Sequence, residues 1–506
     1  MPAPSSASTF RLYNTLTRTV DPVTPVQPGH FRFYSCGPTV YSYAHIGNFR
    51  SFLTADLILR TARALGWKTT YVTNITDVGH LTEDDLTDPA GEDRMARALR
   101  SEAGHRFPNI WELARYYADV LREDWKTLNL RLPNVQPRAT EHVRQQILAV
   151  EKLLANGHAY ETSQGIYFSV SSFPDYGKLS GNVAADELEQ LVRDVVVDRE
   201  KRDPRDFALW KKDDKHLMQW HSPWGWGFPG WHIECSVMAM EYLGEEIDLH
   251  AGGEDLIFPH HECEIAQSES LTGKPFARMW VHTRFLQVEG EKMAKSKGNF
   301  FTVRDLVLPE SEGGRGIDPL ALRLALISGH YRKPYNFTFD TLKASVKHVE
   351  RFREATGYVG AAFAADEPGD DRVGPRLEDL YARTLNALLD DLNTPEALAA
   401  TLEGTRLLLG FKQNLNGASA RSAQTWLAQT NDLLGILAPE HDRTRSEEEA
   451  ADPFAQQVEA LLAARTTARA ARDFARADAI RDEIAALNVE VMDTPEGPKW
   501  KKNLSI

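Results

Sequence analysis

Two short runs of residues carry groups suited to chemistry at a phosphate. His45-Ile46-Gly47-Asn48 follows Cys36-Gly37-Pro38-Thr39-Val40-Tyr41, where an apolar, β-leaning run ends in a glycine turn and a helical pattern begins. A strand–turn–helix junction aims backbone N–H groups and the positive end of a helix dipole at one spot, which favours a phosphate there. An imidazole at such a junction can hydrogen-bond a phosphoryl oxygen as charge builds on it. Lys292-Met293-Ala294-Lys295-Ser296, followed by Lys297-Gly298-Asn299, sets two lysines three residues apart in a cationic loop. Such a loop can neutralise a leaving pyrophosphate. A lysine-rich loop taken alone is more often solvated surface, so the weight rests on the two runs occurring together.

A second group has the donor types of a metal site. The candidates are Cys36, Cys235 in Trp231-His232-Ile233-Glu234-Cys235-Ser236, and the run Phe258-Pro259-His260-His261-Glu262-Cys263-Glu264. If Pro259 opens a helix, His260 and Glu264 lie four apart and share a face. Two thiolates, one imidazole and one carboxylate complete a tetrahedral zinc site. Cys263 is a rival ligand, but one residue before Glu264 it faces about 100° away from it. The bland alternative makes the cysteines small buried apolar residues and the histidines surface or core. The imidazole–carboxylate pair and the place of Cys36 beside the glycine turn weigh against it.

These groups need a frame. A buried-type strand from Phe31, a helical pattern over 51–65 and a second strand over 69–75 fall within about 45 residues, which implies a βαβ unit and a parallel sheet. The pattern from 141 to 225 is less regular and reads as an insertion, and the αβ pattern resumes near Trp231. From 341 to 438 Leu and Ala recur at helical spacing, interrupted by Gly, Pro and Asp over 366–375, which predicts a helix bundle. The expected fold is therefore α/β: a Rossmann-type parallel-sheet domain with an insertion, then an α-helical bundle and a small terminal unit. The expected segments are an extension at 1–30, a first half at 31–140, the insertion at 141–225 and a second half at 226–305. After these come 306–345, the bundle at 346–440, a polar linker at 441–453 and a last unit at 454–506.

Composition sets outer limits. A chain of 506 residues is too long for one core, so several domains are expected. It has no run of about 18 apolar residues and no charged-then-apolar leader, so no membrane role and a cytoplasmic location are expected. Three widely separated cysteines do not make a disulfide framework. The net charge of −14 argues against a generic nucleic-acid coat, yet leaves room for one specific RNA held by local basic patches.

In this order, the two phosphate-directed runs resemble the signatures of class I aminoacyl-tRNA synthetases. Residues 36–41, Pro229-Gly230-Trp231-His232-Ile233-Glu234-Cys235-Ser236, Phe258-Pro259-His260-His261-Glu262 and Thr494-Pro495-Glu496-Gly497-Pro498-Lys499-Trp500 narrow the resemblance to the cysteinyl-tRNA synthetase family, over nearly the whole chain. The resemblance implies ATP, accompanied by Mg2+, L-cysteine and tRNA(Cys) as partners, and a monomer. It implies one zinc ion held by Cys36, Cys235, His260 and Glu264. It places His45, Gly47 and Asn48 around the ATP phosphates and Lys292 and Lys295 on the transferring phosphate, with Lys295 also binding ATP. It gives Gly253 and Asp255, in Gly252-Gly253-Glu254-Asp255, to the adenosine end. Thr39 and Trp231 fall at the amino-acid pocket, 306–345 becomes a stem-contact region, and 454–506 an anticodon-binding unit read through Arg469, Phe474, Asp478 and Asp493. Two residues depart from the class signatures: Asn48 stands where a histidine is usual, and Ala294 where a serine is usual. The stretch Thr82–Asp93, acidic and loop-like, has no counterpart of that form. Two other readings remain open: an ATP-dependent ligase joining cysteine to an amino sugar, and a non-catalytic tRNA-binding paralogue. The presence of 454–500 counts against the first, and the intact lysines and donor set against the second.

Overall fold

Four parallel strands form the central sheet. In the computed structural model of the chain, which describes residues 9–79, 93–181, 200–412, 414–439, 453–470, 473–487, 489–494 and 497–502, these are His30–Ser35 (β1), Lys68–Thr73 (β2), Leu249–Gly253 (β3) and Trp280–Thr283 (β4). Their order is β4-β3-β1-β2, with β1 flanked by β2 and β3 in parallel register. Strand β1 is buried on both faces. Phe31 and Phe33 enter one core, where Phe33 stacks on Tyr71 at 4.8 Å, and Tyr34 and Cys36 enter another. A strand covered on both sides reads as an apolar run rather than an alternation.

The chain runs outward from β1 to β2 and then returns to lay β3 on the other side of β1. That reversal makes a crevice outside the carboxyl ends of β1 and β3, where open α/β sheets bind ligands. The first crossover helix, Ile46–Ala64 (α1), begins directly above it.

Helix α1 is buried nearly all round, and its polar residues are held by a closed network. Asp56 accepts from Arg60 at 2.7 Å and from Arg323 at 2.5 Å. The two guanidiniums donate onward to the carbonyls of Asn129 and Leu434. Burial alone would raise the Asp56 carboxyl, but Arg60 and Arg323 overcome it and hold the group at about 2. Because the folded value lies below the ordinary 3.8, this stabilisation is fully present above pH 3.8 and fades as pH falls through about 2. Asp56→Ala leaves two buried cations uncompensated, so a loss of about 3–5 kcal/mol in urea unfolding is expected. A loss under 1 kcal/mol would show that the cluster relaxes into water.

The segment after β2 leads into Val143–Ala155 and a five-stranded antiparallel sheet of Ala159–Glu161, Gly165–Phe168, Phe207–Lys212, Gly225–Pro229 and Trp220–Ser222. Sequence reading left this region irregular because the strands are short and a register shift at Ile166/Tyr167 breaks the alternation. The last strand to form in chain order crosses the expected boundary at 225. Near the other end, within the expected extension at 1–30, Phe10 and Leu12 are buried, and Arg11–Asn14 pairs with Thr19–Pro22.

Four helices, Phe339–Ala365, Gly374–Leu389, Thr394–Gly410 and Gly417–Leu434, pack around Leu377, Leu408 and Trp426. The break between the first two falls within the Gly/Pro/Asp interruption. The chain divides into two compact units, Met1–Ala438 and Pro439–Ile506. The second unit has helices Pro453–Ala470 and Phe474–Ala486, with Val458, Leu462, Ile480 and Ile484 buried, and an antiparallel pair Val489–Thr494 and Gly497–Lys502. Most of the acidic stretch 82–93 and of the linker 441–453 lies outside the described residues. Among the described residues, no helix is long and apolar enough to cross a membrane.

Candidate metal centre and nucleotide site

Cys36 sits just beyond β1, its N–H donating to Ala251 O of β3 at 3.1 Å. Cys235 is on the helix Trp231–Leu243 (α2), and Glu264 on the helix Glu262–Thr272 (α3). The expectation that Pro259 opens the helix needs correcting. Residues Ile257–His261 make a wide, irregular turn with Phe258 extended, and regular helix begins at Glu262. His260 nevertheless reaches Glu264, with Nε2 3.1 Å from Oε1. One donor atom each from Cys36, Cys235, His260 and Glu264 lies within 4.8 Å of the others, and all four residues are buried. The rival Cys263 points elsewhere, with its Sγ 3.5 Å from the Tyr176 hydroxyl.

The donor set suits a divalent cation. Burial would raise the Glu264 carboxyl, yet His250 and His260 bring it to about 2. Burial would lower His260, yet Glu264 and Cys235 raise it to about 10. Burial also opposes ionisation of Cys235, but the hydrogen bond from Cys36 and the charge of His260 bring its thiol to about 6, while burial pushes Cys36 up. Two thiols, an imidazole and a carboxylate buried within reach of one another have the chemistry to hold a positive ion. Loading it expels protons, so metal affinity weakens at acid pH.

Four more histidines surround the tetrad, and two of them, His250 and His282, were missed in sequence. His250 Nε2 lies 3.0 Å from Glu264 Oε2. His232 Nδ1 lies 2.9 Å from His260 Nδ1. Cys36 Sγ is 3.3 Å from His261 Nε2, whose Nδ1 is 2.8 Å from His282 Nε2. Hydrogen-bonded partners of this kind fix tautomer and ring orientation in metal sites. The available signal was a lone histidine in each of two buried strands, Leu-His-Ala and Val-His-Thr. The same residues offer a second set, Cys36, His250, His261 and Glu264.

Trp231 opens α2 and lies against the tetrad, its ring stacked on His260 at 4.1 Å. Thr39 pairs with Thr76 across the mouth of the sheet. Gly253 ends β3, and Asp255 is exposed in the turn after it.

His45 is the N-cap of α1. Its Nδ1 accepts from Asn48 N–H at 3.2 Å, and Asn48 Oδ1 accepts from His45 N–H at 3.1 Å. Asn48 thus closes a capping box, which accounts for an amide at this position. The N–H of Ile46 donates to Phe301 O at 2.9 Å, so part of the helix N-terminus is already engaged. A Cβ on Gly47 would lie 2.9 Å from the His45 ring and from Met293 Cε. The two sequence runs therefore meet. The lysine loop is closed by Asn299, which accepts from Ala294 N–H at 2.9 Å and donates to Lys292 O at 3.2 Å. Lys292 is exposed, and Lys295, of which the backbone alone is described, begins the short turn Lys295–Lys297.

In the second unit Arg469 and Asp478 are exposed, Asp478 lying 3.4 Å from Arg481, and Phe474 is 64% exposed. Asp493 lies in the strand Val489–Thr494, its side chain outside the described residues.

Comparison with known proteins gives this geometry a context. A family model described as "tRNA synthetases class I (C) catalytic domain" matches residues 22–347, and one described as "Cysteinyl-tRNA ligase anticodon binding domain" matches residues 451–500. The chain is 60% identical over 517 residues to the cysteine--tRNA ligase of Salinibacter ruber, covering 99% of each chain. It is 42% identical to that of Chlorobaculum tepidum, over 98% of this chain and 99% of the relative. Mycobacterium tuberculosis methionyl-tRNA synthetase, solved with methionyl-adenylate, superposes with a TM-score of 0.57 over 80% of this chain and 92% of its own, at 15% identity, a likeness of fold. Matched from end to end and in both domains, the chain belongs to the cysteine--tRNA ligase family.

Proposed function

We propose that the chain activates L-cysteine with Mg2+-bound ATP to cysteinyl-adenylate, releasing pyrophosphate, and transfers cysteine to the 3′ end of tRNA(Cys). The carrying observation is the convergence of Cys36, Cys235, His260 and Glu264 in the crevice between β1 and β3, beside Trp231. A pocket cannot reject serine by size, and apolar contact distinguishes a methylene-sized difference by only about 1–3 kcal/mol. A zinc ion bound by the four donors would supply a borderline-soft Lewis acid that prefers a thiolate to an alcohol. Around it, Trp231 walls the cysteine pocket with Thr39, and the histidine shell keeps the donors oriented. Gly253 and Asp255 receive the adenosine end, while His45, Gly47 and Asn48 meet the phosphates. Lys292 and Lys295 offset charge developing between the α-phosphate and the departing pyrophosphate.

The enzyme works as a cytoplasmic monomer in which 31–140 and 226–305 are the catalytic halves, 306–345 contacts the tRNA stem, and 454–506 reads the anticodon through Arg469, Phe474, Asp478 and Asp493. An exposed ring beside hydrogen-bonding groups suits splayed single-stranded bases. The test is cysteine-dependent pyrophosphate exchange, followed by charging with tRNA or an amino sugar as acceptor. Acylation of the amino sugar alone would overturn the assignment. Truncation after Pro439 should leave exchange nearly intact and lower tRNA charging sharply, with partial recovery at low salt. Anticodon changes should then harm only the full-length enzyme. Equal charging of wild-type and anticodon-mutant tRNA by both forms would remove the reading role.

A further inference from the structure

Beside the start of α1 stands a cluster of rings and arginines that adenylate formation does not use. The hydroxyl of Tyr43, two residues before His45, lies 2.9 Å from that of Tyr116. The guanidinium of the exposed Arg106 lies 4.7 Å from the ring centre of Phe107 and 4.4 Å from that of Tyr116. Arg304 sits 5.7 Å over Tyr43, two residues beyond Thr302, which pairs with His45. The cluster is thus tied through Tyr43 and Thr302 to the residues that flank the phosphate site.

Its charges are unevenly balanced. Asp124 pairs with Arg304 at 3.1 Å. Arg106 has the phenols of Tyr43, Tyr116 and Tyr117 as its ionisable neighbours and no ion pair to a described carboxylate. Tyr43, Phe107 and Tyr116 are each partly exposed. Ring faces around one unbalanced guanidinium suit a single nucleic-acid strand, whose bases stack and whose phosphate seeks a cation. An apolar protein partner would leave that charge unmatched.

We propose that Tyr43, Arg106, Phe107 and Tyr116 form the surface on which the unpaired 3′-terminal nucleotides of the tRNA land, Arg106 meeting a phosphate and the rings a base. The inference rests on the aminoacylation reading above. Transfer requires the terminal ribose to reach the adenylate, so the last unpaired nucleotides cross the rim beside His45.

The experiment uses the full-length enzyme with Arg106→Ala, Arg106→Lys and Tyr116→Ala, and two RNAs: intact tRNA and the same tRNA trimmed of its unpaired 3′ nucleotides. Cysteine-dependent pyrophosphate exchange should stay within about twofold of wild type. Charging kcat/KM should fall roughly tenfold or more in the alanine variants, the scale of one lost stacking or phosphate contact, with Arg106→Lys recovering most of it. For Arg106→Ala, the salt dependence of intact-tRNA binding should flatten by about one unit of log–log slope, while binding of the trimmed tRNA should not change. Unaltered charging would overturn the proposal. So would a parallel fall in exchange, which would place the cluster at ATP, or equal losses with intact and trimmed tRNA, which would place the contact elsewhere on the RNA. Wild-type enzyme that exchanges pyrophosphate but charges no tRNA would instead overturn the aminoacylation reading.

Discussion

Replacing Cys235 with serine is expected to remove most of the bound zinc, about one ion per chain in the wild type, together with cysteine-dependent pyrophosphate exchange. The residue is buried between Cys36, with the two Sγ atoms 3.9 Å apart, and the Glu264–His260 pair. A serine hydroxyl fits that space but does not ionise near neutral pH, so the site loses one of its anionic donors. Metal content measured by atomic absorption separates this effect from unfolding, because α2 should keep its packing through Ile233, Val237 and Met238. Full exchange activity in a protein freed of metal would sink the zinc mechanism.

Lys295→Ala should slow adenylate formation by two or more orders of magnitude with the fold intact. One preorganised positive charge on a phosphoryl transition state is worth roughly 3–4 kcal/mol. The loop is held by Asn299 and by Lys297, whose Nζ lies 2.9 Å from Glu291, and neither contact needs the Lys295 side chain. Single-turnover formation of cysteinyl-adenylate is the direct measurement. A rate unchanged from wild type would make the loop ordinary surface.

Legibility in sequence followed the range of the interactions. The βαβ start could be read because β1, α1 and β2 are local, and the helix bundle because helical spacing repeats over a hundred residues. The tetrad was legible because each donor lies in a distinctive short run, although Pro259 does not open the helix as expected. His250 and His282 were not, because a histidine inside a buried strand looks like any core residue until the strand is laid beside its neighbour. The insertion sheet was hidden for a related reason: strands of three to six residues are defined by their partners more than by their own pattern. The capping role of Asn48 was visible only in backbone geometry, since its substitution for histidine looked like a loss of charge.

The separation of the metal donors along the chain has a consequence for how the protein is made. Cys36 and Glu264 are 228 positions apart, and the long insertion is synthesised between them. A nascent chain that has completed β1, α1 and β2 offers one cysteine of the tetrad and no chelate. Only when β3 joins the edge of β1 and α3 has left the ribosome do the four donors meet. If zinc binds as proposed, its uptake falls late in biogenesis and captures a sheet that has closed correctly. Cells short of zinc would then accumulate chains synthesised in full whose four donors have met without an ion between them.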